Sequence, residues 1–362
     1  MTNTLRYLLL SPISALYGLV MSVRNVLYNK AILPSREHPL AIISLGNLTV
    51  GGTGKTPHTE FILSELHSLF RIAVLSRGYK RKTKGFVLAG PDTDYRQIGD
   101  EPSQMAMRFP GVPVAVCENR NKGIEILRSR FPKLDAILLD DAFQHRSVRA
   151  GLSILLTDYQ RLYTRDNLLP GGNLRESKAG SKRADIILIT KCPPGLRPID
   201  MRLLQHEINP EIHQQLFFSS FSYDEPFPLR ITRDEQMVYY QDMKQKKMTS
   251  LLLTGIVNPE LLREHLSQYC NEIVGLHFPD HHDFTKKDAL LIEKKFGNIK
   301  NPEKVILTTS KDAARLINNK YLSDKLKNNI FVIPVRIKIL DNKETAFIHK
   351  ITDYVTENSG NR

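Results

Sequence analysis

Cysteine is scarce in this sequence: its 362 residues include only Cys117, Cys192 and Cys270. The three lie far apart and form no C-x-x-C pair, which argues against a disulfide framework and against a cysteine-ligated zinc site. The sequence also lacks internal repeats and low-complexity segments. We therefore expect a globular protein in a reducing, cytoplasmic setting.

Acidic residues are fewer than basic ones: the sequence has 38 Asp and Glu but 51 Lys and Arg, which gives a formal charge of +13. This balance favours acidic partners: a nucleotide, a nucleic acid, an anionic lipid or a phosphorylated substrate. Charge alone does not choose among them, but no basic motif interleaved with aromatics supports nucleic-acid binding. With 41% hydrophobic residues, the chain has enough apolar material for one large or two modest domains.

The chain also lacks an apolar run long enough for a comfortable membrane span. Residues 7–23 carry no charge, but Ser11, Pro12 and Ser14 interrupt them, and Arg24 and Lys30 follow. No clear small-x-small cleavage site is present. Three interpretations stay open: a helix on the protein's own core, an interfacial membrane helix, or one short span. We favour membrane association for this N-terminal helix, residues 1–32.

A phosphate-binding loop is the strongest signal in the sequence. An apolar run from residue 40 breaks into glycines and ends in Gly-Lys-Thr, after which a helical pattern resumes. Glycines let consecutive N–H groups converge on phosphate, the lysine adds positive charge, and the threonine hydroxyl suits Mg²⁺. The strict pattern has glycine where Thr49 stands, so the loop is a variant. The candidate ATP-binding residues are Thr49, Gly51, Gly52, Thr53, Gly54, Lys55 and Thr56.

A second strand ends in two acids. Residues 136–139 are apolar and are followed by Asp140 and Asp141, with Gln144 and His145 shortly after. Paired acids at the end of a buried parallel strand are typical of the carboxylate that holds Mg²⁺ or its water shell. A helix N-cap would explain one aspartate but not the whole cluster.

Two further segments can be interpreted either as part of a binding site or as ordinary structural features. Five cations fall between Arg77 and Lys84 after an apolar run, either as a solvated loop or at the strand edge where ligands bind. We favour an anion-facing role for Arg77. Asp100, in the sequence GDEP, begins a helical pattern, and the residues alone do not raise it above a helix cap.

The order of short apolar runs and helical patterns through residue 220 predicts an α/β fold with a doubly wound parallel sheet of the P-loop type. We assign the core to residues 33–225, a linker or domain edge to 226–250, and a smaller C-terminal α/β lobe to 251–362. In that lobe we predict a last strand over 331–339 and a terminal helix over 343–355.

Asp280, His281, His282 and Asp283 stand in a row in the second half of the chain. Neighbouring residues on one loop point in different directions, and further zinc ligands are not evident, so we do not favour a metal site. A positioning or proton-relay role for one histidine fits better, because imidazole titrates near neutrality.

Together these motifs resemble the tetraacyldisaccharide 4′-kinase family, the lipid A 4′-kinases. The matching segments are SLGNLTVGGTGKTP (44–57), LSRGYKRKTKG (75–85), GDEP (99–102), LDDAFQHR (139–146), LPGGNLRE (169–176), ITK (189–191) and FPDHHDF (278–284). The N-terminal apolar helix also resembles the family's membrane-anchoring segment. Between residues 200 and 250, and after 320, the resemblance is weak.

The resemblance implies Mg²⁺- and ATP-dependent transfer of the γ-phosphoryl group to the 4′-hydroxyl of a tetraacylated glucosamine disaccharide 1-phosphate. The partners it implies are a membrane-resident phosphoglycolipid substrate and an anionic membrane surface, at the cytoplasmic face of the inner membrane. It implies no nucleic acid and no obligate protein partner. The fold it implies is a P-loop kinase core with a smaller C-terminal α/β lobe.

The resemblance also suggests roles for individual residues. Asp100 matches the proposed catalytic base, assisted by His281, although the adjacent His282 leaves the choice of histidine open. Lys55 and Thr56 would hold phosphates and Mg²⁺. The other expected metal, nucleotide and phosphate contacts are Asp140, Asp141, Glu176, Arg77, Arg120, Gln144, His145 and Arg175.

One alternative of another class stays open: a P-loop GTPase or ATPase that acts on a protein partner. Ile189-Thr190-Lys191 faintly resembles a guanine-reading strand end, but Pro193 stands where that motif has aspartate.

Overall fold

The computed structural model describes residues 3–90, 93–230, 237–256, 258–280 and 282–359, with side chains from residue 10 onward. The chain divides into two compact units. The first comprises residues 1–93, 105–221 and 337–362, and the second comprises 94–104 and 222–336.

The described residues form two sheets, and the larger has nine strands in the order β14-β8-β7-β6-β1-β5-β2-β4-β3. Every pair from β8 to β4 is parallel, and β3 is antiparallel to β4. The strands of this sheet are β1 (Ala41–Asn47), β2 (Ile72–Ser76), β3 (Val87–Leu88), β4 (Val114–Val116), β5 (Ala136–Asp140), β6 (Leu152–Asp158), β7 (Ile186–Thr190), β8 (Gln215–Tyr223) and β14 (Val335–Ile339).

The smaller sheet has five strands in the order β11-β10-β12-β13-β9. Its pairs are parallel except β13 with β9. Its strands are β9 (Phe227–Pro228), β10 (Thr249–Thr254), β11 (Glu272–His277), β12 (Lys304–Thr309) and β13 (Ile330–Ile333).

The helices cover the sheets as parallel strands require, because a strand buried on both faces needs a layer on each side. Strands β1, β2, β5, β7 and β10 are buried along their whole length. The helices are α1 (Asn3–Asn29), α2 (Lys55–Leu66), α3 (Tyr95–Ile98), α4 (Asp100–Arg108), α5 (Arg120–Arg130), α6 (Pro198–Ile208), α7 (Tyr240–Gln245), α8 (Glu260–Leu266), α9 (Lys286–Gly297), α10 (Ser310–Leu316), α11 (Asp324–Lys327) and α12 (Glu344–Ser359), with short 3₁₀ turns at Tyr163–Arg165 and Lys178–Arg183.

The predicted α/β fold with a doubly wound parallel sheet is confirmed, and the predicted N-terminal helix is present. The prediction of one strand over 331–339 is wrong. The segment forms β13 in the small sheet and β14 in the large one, separated by Pro334, whose missing N–H interrupts a strand ladder.

The predicted boundaries also differ from the observed division. Helix α12, expected in the C-terminal lobe, packs on β1 and α2 of the first unit, where Phe347 is fully buried between Phe61 and Phe217. The segment 226–250, expected as a linker, contains β9 and α7 of the second unit. An amphipathic pattern shows that a helix buries one face but does not show against which sheet.

Helix α1 has two unlike faces. Its Leu10–Asn29 segment is long and apolar enough to cross a membrane by length and composition. Its outer face exposes between 47% and 64% of Ile13, Leu16, Leu19, Val20, Val23 and Val26. Its inner face packs on the first unit through Ser14 and Gly18, which approach Gly171 and Leu168. The apolar side of this helix is therefore the one turned away from the protein.

Candidate active site

The phosphate loop follows the central strand of the large sheet. Strand β1 lies between β5 and β6, and the chain connections on its two sides run to opposite halves of the sheet. Open α/β sheets bind ligands at such a point. Gly51 and Gly54 have φ angles of 102° and 83°, a left-handed region open to glycine. Gly54 caps α2 without a side-chain hydrogen bond. The first N–H groups of α2 thus meet no capping side chain, as an anion site requires.

The loop is held from below by the ends of neighbouring strands. Thr53 is fully buried, and its hydroxyl accepts a hydrogen bond from Asn47 Nδ2 at 2.8 Å. The hydroxyl of Thr190, at the end of β7, donates to the Thr53 carbonyl at 2.8 Å. The ammonium of Lys191 donates to the Gly52 carbonyl and contacts Asp158 Oδ2 at 2.7 Å. These contacts fix the backbone of the loop from the protein side.

The buried positions of Thr49 and Thr53 limit their expected roles. Both are at most 2% exposed, and Thr49 forms an isolated bridge with Leu174. Their side chains therefore support the loop, and the phosphate-facing groups left in it are backbone N–H groups, Lys55 and the half-buried Thr56.

His58 locks the first turn of α2. Burial lowers the pKa of this fully buried imidazole to about 4, so it is neutral at neutral pH. Its Nδ1 lies 2.7 Å from the Gly54 carbonyl, and its Nε2 lies 2.8 Å from Ser219 Oγ. A carbonyl only accepts, so Nδ1 carries the proton and Nε2 accepts from the serine hydroxyl.

Asp141 faces the lysine of the loop. Its carboxylate lies 3.7 Å from Lys55 Nζ and 3.0 Å from Arg175 Nη1, on a residue with a φ of 47°. Burial alone would raise the pKa of Asp141, but Lys55 and Arg175 outweigh it and hold that pKa below its ordinary value. Asp141 is therefore an ionised, 31%-exposed carboxylate beside the phosphate loop.

Asp140 is the deeper acid of the pair. It ends β5 beside Leu45 of β1 and is 1% exposed. Its two oxygens accept hydrogen bonds from Thr59 Oγ1 at 3.1 Å and from Ser76 Oγ at 3.3 Å. Both of these donors are neutral hydroxyl groups, and a buried carboxylate at the end of a strand is suited to orienting the water shell of a cation.

Arg120 supplies a buried positive charge behind the two acids. It is 1% exposed and donates from Nη1 to the Cys117 carbonyl at 2.7 Å. Burial lowers its pKa to about 10, against the opposing effect of Asp140 and Asp141, so it stays protonated at neutral pH. Its buried Nε has no hydrogen-bond partner among the described residues. Arg77 is exposed at the end of the adjacent β2.

His145 and Gln144 follow the acids. Burial, with the charges of Arg120, Arg24 and Arg77, lowers the pKa of His145 to about 4, so its imidazole is neutral. Gln144 Nε2 donates to the Asn47 carbonyl at 2.7 Å and to Glu176 at 3.0 Å. Gln144 therefore joins the phosphate-loop strand to the segment that carries Arg175.

Glu176 is a structural clamp in this arrangement. The carboxylate is 1% exposed and accepts from Asn25 Nδ2, Gln144 Nε2 and Arg183 Nη2 at 2.9 to 3.0 Å. Asn25 lies on α1, and the Tyr17 hydroxyl of the same helix donates to the Arg175 carbonyl at 2.6 Å. The N-terminal helix is thus bonded directly to two residues expected in the site.

The residues around the loop fit Mg²⁺ and ATP. No cluster of three or more His, Cys, Asp or Glu that would hold a metal alone occurs in the described part of the chain. A cation shared with phosphates needs fewer protein ligands, and a threonine hydroxyl with one or two carboxylates is the usual set for Mg²⁺. Thr56, Asp140 and Asp141 provide that set, while Lys55, Arg120 and Arg175 provide positive charge for phosphates.

Asp100, one of the two expected catalytic residues, belongs to the second unit. Asp100 begins α4, is 5% exposed and pairs with Arg315 of α10. His282 Nε2 lies 3.0 Å from Asp288, and its ring stacks on Phe278 at 4.7 Å. His281 lies outside the described residues.

Sequence reasoning missed the supports of the loop. Asp158 ends β6 and Lys191 follows β7, two neighbouring parallel strands, so the strand-edge argument used for Asp140 would also have brought this pair together. The contacts of His58 left no such signal, because a lone histidine in a helix does not show which partners it will meet.

Three comparisons bear on this site. Residues 6–355 match the model of the family described as tetraacyldisaccharide-1-P 4′-kinase. The tetraacyldisaccharide 4′-kinase of Bacteroides thetaiotaomicron is 47% identical over 357 residues, covering 97% of this chain and 94% of the relative. That of Flavobacterium psychrophilum is 41% identical, covering 97% and 98%. A crystal structure of LpxK from Aquifex aeolicus in complex with ATP is 27% identical, with a TM-score of 0.73 over 97% of this chain and 99% of that one.

Proposed function

Because this chain belongs to the tetraacyldisaccharide-1-P 4′-kinase family, we propose that it transfers the γ-phosphoryl group of ATP to the 4′-hydroxyl of a tetraacylated glucosamine disaccharide 1-phosphate, a lipid A precursor. The observation that carries the proposal is the phosphate loop at the centre of the parallel sheet, with Lys55 and Arg175 both facing Asp141, in a chain whose residues 6–355 match the family model. Phosphoryl transfer needs mostly positioning and charge stabilisation, and this loop provides both.

We assign nucleotide and metal contacts to the first unit. The N–H groups at the start of α2 and Lys55 would bind phosphate oxygens, and Thr56 with Asp141 would hold Mg²⁺, which would neutralise phosphate charge. Asp140 would orient the water shell of the cation. Its burial at the end of β5, directly before Asp141, supports this role.

The remaining assignments in the first unit concern its basic residues, His145, and the Glu176 and Gln144 side chains. Arg77, Arg120 and Arg175 lower the electrostatic cost of bringing phosphates to the loop, and the unpartnered Nε of Arg120 supports its part. We assign His145 a neutral contact to phosphate or substrate, since its lowered pKa removes its charge. Glu176 and Gln144 position Arg175 rather than bind metal, since Arg183 already pairs with the Glu176 carboxylate.

The proton acceptor in our proposal is Asp100, assisted by His281. The 4′-oxygen forms a bond to the γ-phosphorus, the bond from that phosphorus to the bridging oxygen breaks, and the hydroxyl proton passes to the Asp100 carboxylate. His282 is engaged by Asp288 and packed against Phe278 and Phe284, which favours its neighbour as the assisting histidine.

We further propose that the protein is peripheral to the cytoplasmic face of the inner membrane. Contacts from the inner face of α1 run from Ser14 to Asn25, and a helix bonded to its own protein over that length is better placed to lie in the interface than to span. The exposed apolar face of α1 would enter the lipid, where the substrate resides. Neither nucleic acid nor an obligate protein partner is part of the proposal.

The test is transfer of labelled γ-phosphate from ATP, with Mg²⁺ and detergent, to a tetraacyl disaccharide 1-phosphate, resolved by thin-layer chromatography. We expect wild type to produce a bisphosphorylated lipid. Asp100→Ala should lower kcat by about 10²- to 10⁴-fold, the usual contribution of a general base, with ATP affinity within about twofold of wild type.

Asp324→Ala is the matched control, since it removes an exposed acid that pairs with Arg230 elsewhere in the same unit. It should keep the wild-type rate. Absence of lipid product from wild type, or a tight preference for GTP, would contradict the kinase proposal. A wild-type rate in Asp100→Ala would contradict only the assignment of the base.

A further inference from the structure

A buried ion pair holds the carboxylate of Asp100. Asp100 is 5% exposed and Arg315 is 3% exposed, and the guanidinium Nη2 donates to Asp100 Oδ2. The two residues are 215 positions apart in the sequence, on α4 and α10, and both belong to the second unit. A buried charge requires a compensating partner, so each residue fixes the other in this site.

Arg315 is itself held by a second acid. Its Nη1 lies 3.4 Å from Asp312 Oδ1 and 3.5 Å from the His282 carbonyl. Asp312 is fully buried, and its Oδ2 accepts from the Gly255 N–H at 2.9 Å and from the Thr309 hydroxyl at 2.8 Å. The Gly255 N–H, which follows β10, and the Thr309 hydroxyl, which precedes α10, thus orient Asp312, and Asp312 orients the guanidinium.

We propose that Arg315 is a positioning residue for Asp100, fixing the orientation and the negative charge of the carboxylate that receives the substrate proton. This inference rests on the proposed function. When Asp100 takes the hydroxyl proton, its carboxylate loses its charge, and Arg315 still has the Asp312 carboxyl as a hydrogen-bond partner. The guanidinium therefore stays in place during the proton transfer, ready to favour release of the proton afterwards.

Other charged groups near this pair have partners of their own. On the elements around it, Lys311 contacts Asp280 at 2.8 Å, His282 contacts Asp288 at 3.0 Å, and Asp283 contacts Arg96 at 3.3 Å and the Tyr95 hydroxyl. Glu101 follows Asp100 on α4 and is half-buried. Burial raises the pKa of Asp312. Asp100 itself pairs with Arg315.

The experiment compares the pH dependence of kcat/KM for the full-length protein in detergent with ATP, Mg²⁺ and the tetraacyl disaccharide 1-phosphate. An opposite charge at this distance lowers the pKa of a carboxyl by about 1 to 3 units. We therefore expect Arg315→Met to move the acidic limb of the profile upward by at least about one unit and to lower kcat by at least about tenfold. Arg315→Lys, which keeps the charge, should keep the limb near its wild-type position.

Arg230→Met is the control, since it breaks the ion pair with Asp324 in the same unit and should leave the profile unchanged. A purely structural role for Arg315 would lower the amount of active enzyme without moving the acidic limb. An unmoved limb in folded Arg315→Met would overturn the inference, and a wild type that makes lipid product in the same assay would leave the proposed function standing.

A second comparison covers the case in which Arg315→Met alone does not fold. This comparison uses the single variant Asp100→Asn and the double variant Asp100→Asn/Arg315→Met. The double variant removes both charges of the ion pair, which is tolerated better than leaving one charge buried and unpaired. Because Arg315 acts through Asp100, the second substitution should change the residual kcat by less than about threefold. A further loss of tenfold or more in the double variant would overturn the inference.

Discussion

The Thr190 hydroxyl is a sensitive probe of how the protein holds its phosphate loop. A hydroxyl has one proton, and of its two neighbours the Thr53 carbonyl at 2.8 Å is closer than the Thr157 carbonyl at 3.2 Å. Thr190→Val removes that donor, keeps the shape of the side chain and leaves the Thr53 carbonyl without it, at a fully buried position. A buried carbonyl left without its donor costs about 1–3 kcal/mol.

This free-energy cost should weaken ATP binding, because the Thr53 carbonyl belongs to the phosphate loop and ATP binds that loop in its ordered conformation. At 1.4 kcal/mol per tenfold, a cost of this size weakens the ATP affinity by about 5- to 150-fold if the loop bears all of it. The measurement is titration of the variant with ATP and Mg²⁺ by calorimetry, together with its thermal unfolding.

Thr308→Val provides the matched control. Thr308 is also fully buried in a strand and donates to the Leu253 carbonyl at 2.9 Å, but in the small sheet. It should lower Tm to a similar extent without changing ATP affinity. If Thr190→Val lowers Tm as Thr308→Val does but binds ATP with wild-type affinity, the Thr190 hydroxyl does not order the phosphate loop for ATP binding.

Two further predictions concern helix α1 and pH. The double variant Leu16→Glu/Val20→Glu, on the outer face of α1, should reduce sedimentation with anionic vesicles by at least about tenfold, since each apolar side chain contributes about 1.5–3 kcal/mol when buried. The control Leu203→Glu changes an equally exposed leucine on α6 and should sediment as wild type does. Equal sedimentation of wild type, the double variant and the control would contradict the role of α1. The folded pKa of His58 is about 4 against 6.5 unfolded, so the unfolded state binds the extra proton, and this group should remove up to about 3 kcal/mol of stability as pH falls from 6.5 to 4. Urea unfolding of His58→Gln should show a shallower loss over that window than wild type, and parallel curves would refute it.

The sequence predicted the elements that depend on local pattern. Buried parallel strands are continuous apolar runs, so the strand over 72–76 and the acids that end β5 could be located from residue types alone. The carboxyl ends of parallel strands share one edge, and Asp141 and Lys55 lie 3.7 Å apart at that edge.

The rest depends on contacts between distant segments. In the sequence Asp100 cannot be told from a helix cap. Its pairing with Arg315 distinguishes it, and the two residues are 215 positions apart, a separation that no local pattern covers. The contacts of Glu176 could not be predicted either. No regular pattern follows this residue in the sequence, so nothing there indicates Asn25 or Arg183 as its partner. The return of α12 to the large sheet could not be predicted either, since both sheets offer an apolar face.

The division of the chain into units restricts how relatives can be recombined. The chain passes from one unit to the other at 93/94, 104/105, 221/222 and 336/337. A chimera that exchanges only residues 222–336 would take Arg315 from one parent and Asp100 from the other, and would pair α4 with a foreign α10. Exchange of the second unit between two members of the family therefore has to include the short segment 94–104, which the linear order of the chain would assign to the first unit.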